Sequence, residues 1–325
     1  MLFVPSILSA QDAKWEKAYR SYTVNVNIDN DDTVTFDYEI LFKDSTDSGS
    51  FKCTSLDTFL FILENDLLSL PKEKNDILYY FHGMFGGQPQ LFNYNLEEFR
   101  NLYLEPEGSS LARIIGYRWP GNLPSYEKDK RNAKTISEPV SDHMDNLMGF
   151  IRGLDRSIAS NVMTHSLGSE LFKDVVAIQH KNLGTHFTFD QIVLAAPDLD
   201  VDVFSVGRPL TWLASRSNRI TTYFSTKDLT LTFSKKLNKK GRLGVDGPSD
   251  ETLAMANVSY VDMTAVKDEK QLPLRITGHT YLRASALAAS DILQILVGSD
   301  LDQMARRELI DKTLNVFRFL VTERE

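Results

Sequence analysis

Short apolar runs that end in glycine or a polar residue alternate with amphipathic segments along most of the chain. Runs such as "DILYYFHG", "ARIIGYRWPG" and "SIASNVMTHS" are typical of buried strands. The segment "SLDTFLFILENDLLSL" carries apolar residues at helical spacing behind Ser55, which can cap a helix. Strands that alternate with helices predict βαβ units and a mostly parallel sheet.

The same patterns predict further elements towards both ends of the chain. Near the N-terminus, "SYTVNVNIDNDDTVTFDYEILFK" places two β-rich runs around "DNDD", which indicates a hairpin. A helix is expected at "SDHMDNLMGFIRGL", with Ser141 or Asp142 as its cap. Further strands are expected at "DQIVLAAPD", "RITTYFSTKD" and "NVSYVDMTA", and further helices at "YLRASALAASDILQILVG" and "QMARRELIDKTLNVFRFLV".

No internal repeat or low-complexity linker interrupts this order. We therefore expect one α/β domain over residues 1–325, with an N-terminal arm and hairpin in 1–54 and the main core in 55–325. A chain of 325 residues with 42% hydrophobic content can close such a core without disulfides.

Composition and charge exclude several classes of function. The single cysteine, Cys53, excludes an intrachain disulfide framework and a cysteine-based metal site. The net charge of −8 disfavours a nucleic-acid or anionic-membrane role for the molecule as a whole. One basic segment, "KKLNKKGRLG" from Lys235 to Gly244, is expected to be a solvated loop between strands. No pair of histidines has the spacing of a metalloprotease motif, so neither a metal nor another cofactor is expected.

The lengths and flanks of the apolar runs bear on membrane insertion and targeting. None approaches the ~20 residues of a spanning helix, so no integral membrane segment is expected. The stretch "MLFVPSILSAQDAKW" resembles the end of a secretory signal peptide that lacks its basic head. The missing basic head favours a first strand or an arm on the domain, and hence a cytoplasmic protein. Export is the alternative if residues 1–10 are the remnant of a signal peptide.

Ser166 lies between a predicted buried strand and a predicted helix, within the pattern T-H-S-L-G. A serine on such a tight turn exposes its oxygen above the carboxyl ends of the strands. Small residues two before and two after the serine let the strand and the helix approach. Gly168 fills the second of these places, whereas Thr164 stands in the first. Taken alone, the pattern fits a serine that caps a helix equally well.

The order of other residues along the chain favours a serine hydrolase. Such enzymes place an oxyanion loop first, then the nucleophile, an acid and a histidine. Upstream, His82 and Gly83 end a predicted strand and precede a glycine-rich turn. Downstream, Asp228 stands at a predicted strand end and His279 just before a helix.

With these motifs the chain resembles the α/β-hydrolase superfamily, and specifically an uncharacterised bacterial esterase/lipase-like branch of it, over roughly Asp76 to Val297. The matching features are "HG" with its glycine turn, "WPG", "YEKDKRNA", "THSLGSELF", "LAAPDLDVDVF", "STKDLTLTFSKKLNKKGRLG" and "GHTY". The resemblance implies an α/β-hydrolase fold, with a mostly parallel central sheet flanked by helices and the N-terminal hairpin as an extension. It also implies that Ser166 is the nucleophile, His279 the general base and Asp228 the acid that orients His279.

The expected reaction is cleavage of a small-molecule carboxylic ester through an acyl-enzyme intermediate. His279 would take the Ser166 proton and return it to the leaving group, while Asp228 holds the required tautomer. The backbone N–H groups of Leu167 and of Met84, the residue after Gly83, are the expected oxyanion donors. Two alternatives remain: a non-catalytic binding protein of the same fold, and a lipase or acyltransferase that acts on lipid acyl groups.

Other residues have expected roles beside the triad. Asp198 is the alternative acid, because some hydrolases of this fold draw the acid from the strand before that of Asp228; it also fits a capping role. His82 is expected to brace the oxyanion turn rather than take part in the chemistry. Trp119 and Pro120 are expected to be wall or packing residues.

The remaining histidines are expected to lie away from the reaction. His165 is expected to point away from His279, because neighbours on a sharp turn diverge. The other three are expected to lie on the surface: His143, His180 and His186.

Overall fold

The computed structural model describes residues 19–43, 48–121, 125–154, 157–182, 184, 186–267 and 278–321. In this part of the chain, eleven strands form one sheet in the order β10-β11-β9-β8-β7-β6-β4-β5-β1-β2-β3. The strands are β1 Tyr19–Ile28, β2 Val34–Lys43, β3 Ser48–Cys53, β4 Asp76–Phe81, β5 Leu111–Arg118, β6 Ser160–His165, β7 Phe189–Ala195, β8 Ser217–Phe224, β9 Val258–Asp262, β10 Arg307–Asp311 and β11 Val316–Phe319.

The central strands pair in parallel from β1 through β5, β4, β6, β7, β8 and β9 to β11. Antiparallel strands extend the sheet at both ends: β2 and β3 at one, β10 at the other. The predicted N-terminal hairpin is present, with β1 and β2 in register from Tyr19 opposite Lys43 to Ile28 opposite Val34. This confirms the predicted fold class. The predicted arm at residues 1–18 lies outside the described residues, and the single domain stays a prediction.

Helices cover both faces of this sheet. Alternate residues of β4 face opposite sides: Tyr79 packs in one apolar cluster with α1, α3 and α4, and Tyr80 in the other with α2 and α9. The described helices are α1 Leu56–Ser69, α2 Pro89–Phe99, α3 Tyr126–Gly153, α4 Gly168–Asn182, α5 Pro209–Ala214, α6 Leu229–Asn238, α7 Leu243–Asp246, α8 Tyr281–Ala284 and α9 Ala286–Leu296. A π-helical turn, Arg100–Leu104, and a 3-10 turn, Leu301–Gln303, complete them.

Two helix caps show where the sequence patterns were and were not sufficient. Ser55 caps α1 as predicted, and its hydroxyl accepts a hydrogen bond from the Thr58 N–H at 3.2 Å. The predicted cap of α3 at Ser141 or Asp142 was wrong, because the helix begins at Tyr126 behind the cap Ser125. Ser141 lies buried inside α3, where it accepts a hydrogen bond from Gln179 of α4.

The C-terminal segment differs most from its prediction. The stretch "QMARRELIDKTLNVFRFLV" was expected to be a helix but forms the hairpin of β10 and β11. Asn315, with a φ of 53°, stands immediately before β11. Val316 pairs with Tyr260 of β9. The edge of the sheet at β9 therefore supplies the hydrogen-bond partners that this backbone would otherwise find within a helix.

The basic segment also departs from its prediction as a loop. Its first four residues, Lys235 to Asn238, form the last turn of α6, and Leu243 begins α7. Lys239, with a φ of 53°, ends the helix. In the described part of the chain, no helix is both long and apolar enough to cross a bilayer.

Candidate active site

Ser166 occupies the tight turn between β6 and α4. Its φ of 52° lies in the left-handed region, which is unfavourable for a residue with a side chain. The surrounding backbone holds this conformation, since the Ser166 N–H donates to the Ala195 carbonyl at 3.2 Å. The Ser166 carbonyl accepts from the N–H groups of Ser169 and Asp198 at 3.0 and 3.1 Å. The predicted strand, turn and helix are therefore all present around Ser166.

The residues two places to either side of Ser166 explain how the sequence permits this turn. A Cβ on Gly168 would stand 2.4 Å from the His82 carbonyl oxygen, so only glycine lets α4 approach the end of β4. Thr164, which departs from the usual glycine, is fully buried, and its hydroxyl hydrogen-bonds the Ser169 hydroxyl at 2.7 Å. A threonine is tolerated there because its polar atom has a partner.

The loop after β4 lies directly against the Ser166 turn. A Cβ on Gly83 would stand 2.7 Å from the Cβ of Ser166. Phe85, two residues on, has a φ of 68°. Among the hydrogen bonds of the described residues, none uses the backbone N–H of Met84 or of Leu167 as its donor.

His82 ties this loop to the strand beside it. Its Nδ1 lies 2.7 Å from the Gly83 carbonyl oxygen, and its Nε2 accepts the Trp119 backbone N–H at 3.0 Å. The Trp119 indole N–H donates to the His82 carbonyl, and the two rings stack with centroids 5.0 Å apart. Burial lowers the pKa of His82 to about 4, so the ring is neutral near pH 7. These contacts suit the bracing role expected of His82 and the packing role expected of Trp119.

His279 and Asp228 are in contact. The His279 Nδ1 lies 2.6 Å from Oδ2 of Asp228, and both side chains are buried. The other carboxylate oxygen, Oδ1, accepts the Leu231 N–H at 2.8 Å and caps α6. Asp228 is thus fixed by the helix that follows it.

Gly278 allows the approach of the two segments that carry this pair. It has a φ of +77°, and a Cβ there would stand 2.9 Å from the Lys227 carbonyl oxygen and 3.2 Å from the Asp228 nitrogen. A side chain would therefore push the His279 turn away from the Asp228 turn.

The expectation that His165 points away from His279 was wrong. The two rings lie with centroids 4.7 Å apart, and the His165 Nε2 lies 3.0 Å from the His279 carbonyl oxygen. Because a carbonyl only accepts, the His165 Nε2 carries the proton and donates. Burial and the neighbouring His279 hold the pKa of His165 well below its usual range. The argument that neighbours on a turn diverge applies only to Ser166 and His165. His279 belongs to a distant segment of the chain, so that argument does not determine where its ring lies.

Asp198 occupies a different environment from Asp228. Its Oδ1 accepts the Ser234 hydroxyl at 2.6 Å and lies 3.2 Å from the Arg242 Nε. Burial raises the pKa of Asp198 despite the neighbouring guanidinium. No hydrogen bond or ion pair joins Asp198 to His279 among the contacts of the described residues. The backbone N–H of Asp198 donates to the Ser166 carbonyl at 3.1 Å.

The other histidines were expected at the surface, and for His143 this was wrong. Its Nδ1 and Nε2 each lie 3.1 Å from a tyrosine hydroxyl, of Tyr117 and Tyr38 respectively. It is buried because the apolar face of α3 continues through its position. His180 and His186 are exposed, as expected.

Sequence reasoning missed two residues of this arrangement, His165 and Gly278. The sequence shows that His165 precedes Ser166, but it gives no sign that His165 contacts His279. Gly278 was quoted only as part of "GHTY"; its place directly before His279 was the available signal. In the part of the chain that the structure describes, no group of three or more His, Cys, Asp or Glu could hold a metal ion.

The chain matches the family model described as alpha/beta hydrolase of unknown function (DUF900) over residues 73–299. This range contains Ser166, Asp228 and His279. A comparison with curated proteins finds no match.

Several solved structures are similar to the chain. A predicted CIB-like hydrolase from Thermoplasma acidophilum is 11% identical, with a TM-score of 0.36, and the match covers 86% of this chain and 97% of that one. An esterase from Pyrobaculum calidifontis is 11% identical, with a TM-score of 0.37 and coverage of 85% and 84%. A fungal esterase structure from Rhizomucor miehei is 11% identical, with a TM-score of 0.38 and coverage of 90% and 88%.

Proposed function

Because the chain belongs to this family of alpha/beta hydrolases, we propose that it is a serine hydrolase that cleaves a small-molecule carboxylic ester. The observation that carries the proposal is the 2.6 Å contact between the His279 Nδ1 and the Asp228 Oδ2, in which the His279 ring also lies 4.7 Å from that of His165, the residue before Ser166. An imidazole held by a carboxylate near a serine on a tight turn is the arrangement that activates a serine oxygen.

In the first half of the reaction, the Ser166 Oγ attacks the ester carbonyl carbon while His279 accepts the hydroxyl proton. Since the His279 Nδ1 faces Asp228, its Nε2 is the atom that takes this proton. The negative charge of Asp228 favours the imidazolium that forms. As the bond between the carbonyl carbon and the alkoxide oxygen breaks, the protonated His279 donates its proton to that oxygen. The alcohol leaves, and the acyl group stays bonded to the Ser166 Oγ.

In the second half, a water molecule replaces the alcohol. His279 removes one proton from the water as its oxygen attacks the acyl carbon, and the proton passes to the Ser166 oxygen as the bond to the acyl group breaks. The carboxylic acid leaves and Ser166 is regenerated.

The negative oxygen of each tetrahedral intermediate would accept hydrogen bonds from the N–H groups of Leu167 and Met84. Neither donates to another group among the described residues, so no existing bond has to break. One such donor typically contributes about 3 kcal/mol to transition-state stabilisation. His82 acts in this account by holding the Gly83 carbonyl and so the course of the loop.

The proposal is tested by hydrolysis of p-nitrophenyl esters from acetate to palmitate, with the purified full chain and its Ser166→Ala variant. We expect release of p-nitrophenol by the wild-type protein and loss of that release in the variant. No hydrolysis of any ester by well-folded wild-type protein would favour a binding protein of the same fold. Equal rates in both proteins would exclude Ser166 as the nucleophile.

A further inference from the structure

Helix α6 turns large apolar side chains towards solvent. Leu229, Phe233 and Leu237 are 63%, 61% and 43% exposed, respectively. They stand at intervals of four residues and therefore share one side of the helix, which we call the α6 apolar face. Leu231 and Ser234 are buried and attach the helix to the protein. The α6 apolar face is thus not needed for packing of α6 onto the core.

This face begins at the rim of the candidate active site. Leu229 directly follows Asp228, whose carboxylate contacts His279 and also caps α6. A surface that covers the α6 apolar face would therefore lie beside the proposed catalytic pair.

Lysines surround the α6 apolar face. Lys236 lies on the same side of the helix, three residues after Phe233, and Lys239 and Lys240 follow the last turn. Lys235 pairs with Asp246, and Lys240 with Asp200. Lys236 and Lys239 are exposed and form no ion pair with another described residue.

The charge beside the α6 apolar face that no described carboxylate pairs is positive and comes from Lys236 and Lys239. From Lys235 to Arg242 the sequence carries five basic residues, of which Lys235, Lys240 and the buried Arg242 pair with carboxylates of neighbouring segments. A twofold pairing of two such faces would bring the lysines of both copies into one contact, which is unfavourable. An anionic surface complements this charge.

We propose that the α6 apolar face docks on an anionic lipid bilayer, and that the ester cleaved at Ser166 is an acyl ester of a lipid in that bilayer. The substrate part of this inference rests on the proposed function. Phenylalanine and leucine on one side of a helix with lysine around them are typical of helices that lie in the interface of a membrane. The lysines would contact lipid phosphates while the three apolar side chains enter the acyl boundary.

The test separates binding from hydrolysis. Co-sedimentation is measured with vesicles of phosphatidylcholine alone and of equal parts phosphatidylcholine and phosphatidylglycerol. All proteins carry Ser166→Ala, so that the lipid is not consumed. Phe233→Ser removes the central side chain of the face, and Phe61→Ser is the matched control, since Phe61 is a 46% exposed phenylalanine on α1. Hydrolysis of p-nitrophenyl butyrate is followed with the same substitutions in protein that retains Ser166.

We expect binding to the anionic vesicles that falls with added salt, because screening weakens the contacts of the lysines. Phe233→Ser should weaken this binding about tenfold or more, whereas Phe61→Ser should leave it unchanged. Lys236→Glu combined with Lys239→Glu should weaken it by a similar factor. Rates on the soluble ester should stay within about twofold for all of these variants, as none of the residues belongs to the proposed catalytic machinery.

Three results would overturn the docking surface. The first is absence of binding to the anionic vesicles, and the second is an equal loss in Phe61→Ser and Phe233→Ser. The third is a wild-type dimer that Phe233→Ser converts to a monomer, without vesicle binding by either. A protein that binds vesicles through α6 but hydrolyses neither the soluble ester nor the lipid would contradict the proposed function and leave the docking surface standing. Hydrolysis of the soluble ester alone, by protein bound to the vesicles, would overturn the lipid substrate.

Discussion

The carboxylate of Asp228 divides its two oxygens between a helix and a histidine: Oδ1 accepts the Leu231 N–H at 2.8 Å and Oδ2 lies 2.6 Å from the His279 Nδ1. In Asp228→Asn, the amide oxygen can still cap α6, but the charge that favours the imidazolium is lost. We predict a kcat lower by about 10⁴-fold, the loss seen in another triad, with little change in Tm. Ester hydrolysis at saturating substrate measures kcat, and thermal unfolding measures Tm.

Asp198→Asn is the matched control, because Asp198 is buried and contacts Arg242 and Ser234 instead of His279. We expect its kcat to stay within about tenfold of the wild-type value. A larger loss in Asp198→Asn than in Asp228→Asn would transfer the role of the acid to Asp198.

Gly83 is predicted to tolerate no side chain. Its Cβ would stand 2.7 Å from the Cβ of Ser166, well inside the ~3.5 Å contact distance of two carbons, so the oxyanion loop or the serine would have to move. Gly83→Ala should lower kcat about 100-fold or more, since a displaced oxyanion donor costs that much. Gly153→Ala, at which a Cβ has nothing within 4 Å, is the control. Equal kcat values for Gly83→Ala and Gly153→Ala would show that the loop does not take part.

His165 is predicted to position His279 through the backbone. His165→Phe keeps an aromatic ring but loses the donor to the His279 carbonyl, so we expect kcat to fall about tenfold with KM nearly unchanged. His165→Gln retains an N–H donor and should recover part of the loss. Steady-state kinetics of the wild-type protein, His165→Phe and His165→Gln measure kcat and KM separately. A Phe variant with full kcat, or a Gln variant no better than Phe, would remove the positioning role.

Stability should fall in mild acid because His143 is buried as a neutral ring. Burial lowers its pKa to about 4, below the value of an exposed histidine, so the unfolded chain takes up the proton first as the pH falls. The free energy of unfolding should therefore decrease by about 1.4 kcal/mol per pH unit for this residue below about pH 6.5, and level off below about 4. At neutral pH the effect is absent.

The His143→Gln variant isolates this contribution. The free energy of unfolding is measured with urea at several values between about pH 7 and 4. Its change with pH should be smaller in the variant than in the wild-type protein, by an amount that corresponds to close to one proton. Identical slopes for the two proteins would mean that His143 takes up its proton in the folded state.

The parallel strands could be predicted because both faces of the sheet are covered, so each strand is a continuous apolar run bounded by polar residues or glycine. "DILYYF" became β4 and "DQIVLA" the end of β7 for this reason. The final hairpin could not be predicted in the same way. The pairing of Val316 with Tyr260 joins residues more than fifty positions apart, and an amphipathic stretch gives no local sign of it.

The same distinction applies to the site. Chain order led to Ser166, Asp228 and His279, and the structure brings the last two into contact; their roles stay predictions. The contact between His165 and His279 was not foreseen, because the two residues are 114 positions apart and only the folded chain brings them together. The local geometry at Ser166 sets the direction of the His165 side chain. It does not determine which distant segment of the chain that side chain contacts.

The central claim is that Ser166 is an activated nucleophile. A fluorophosphonate probe reacts with such a serine and with few others, and its phosphorus becomes bonded to the serine oxygen as fluoride leaves. We predict that the wild-type protein is labelled in equal molar amount on the peptide that contains Ser166, and that Ser166→Ala takes up no label while its Tm stays within a few degrees. Label retained by Ser166→Ala, or none on folded wild-type protein, would contradict the account.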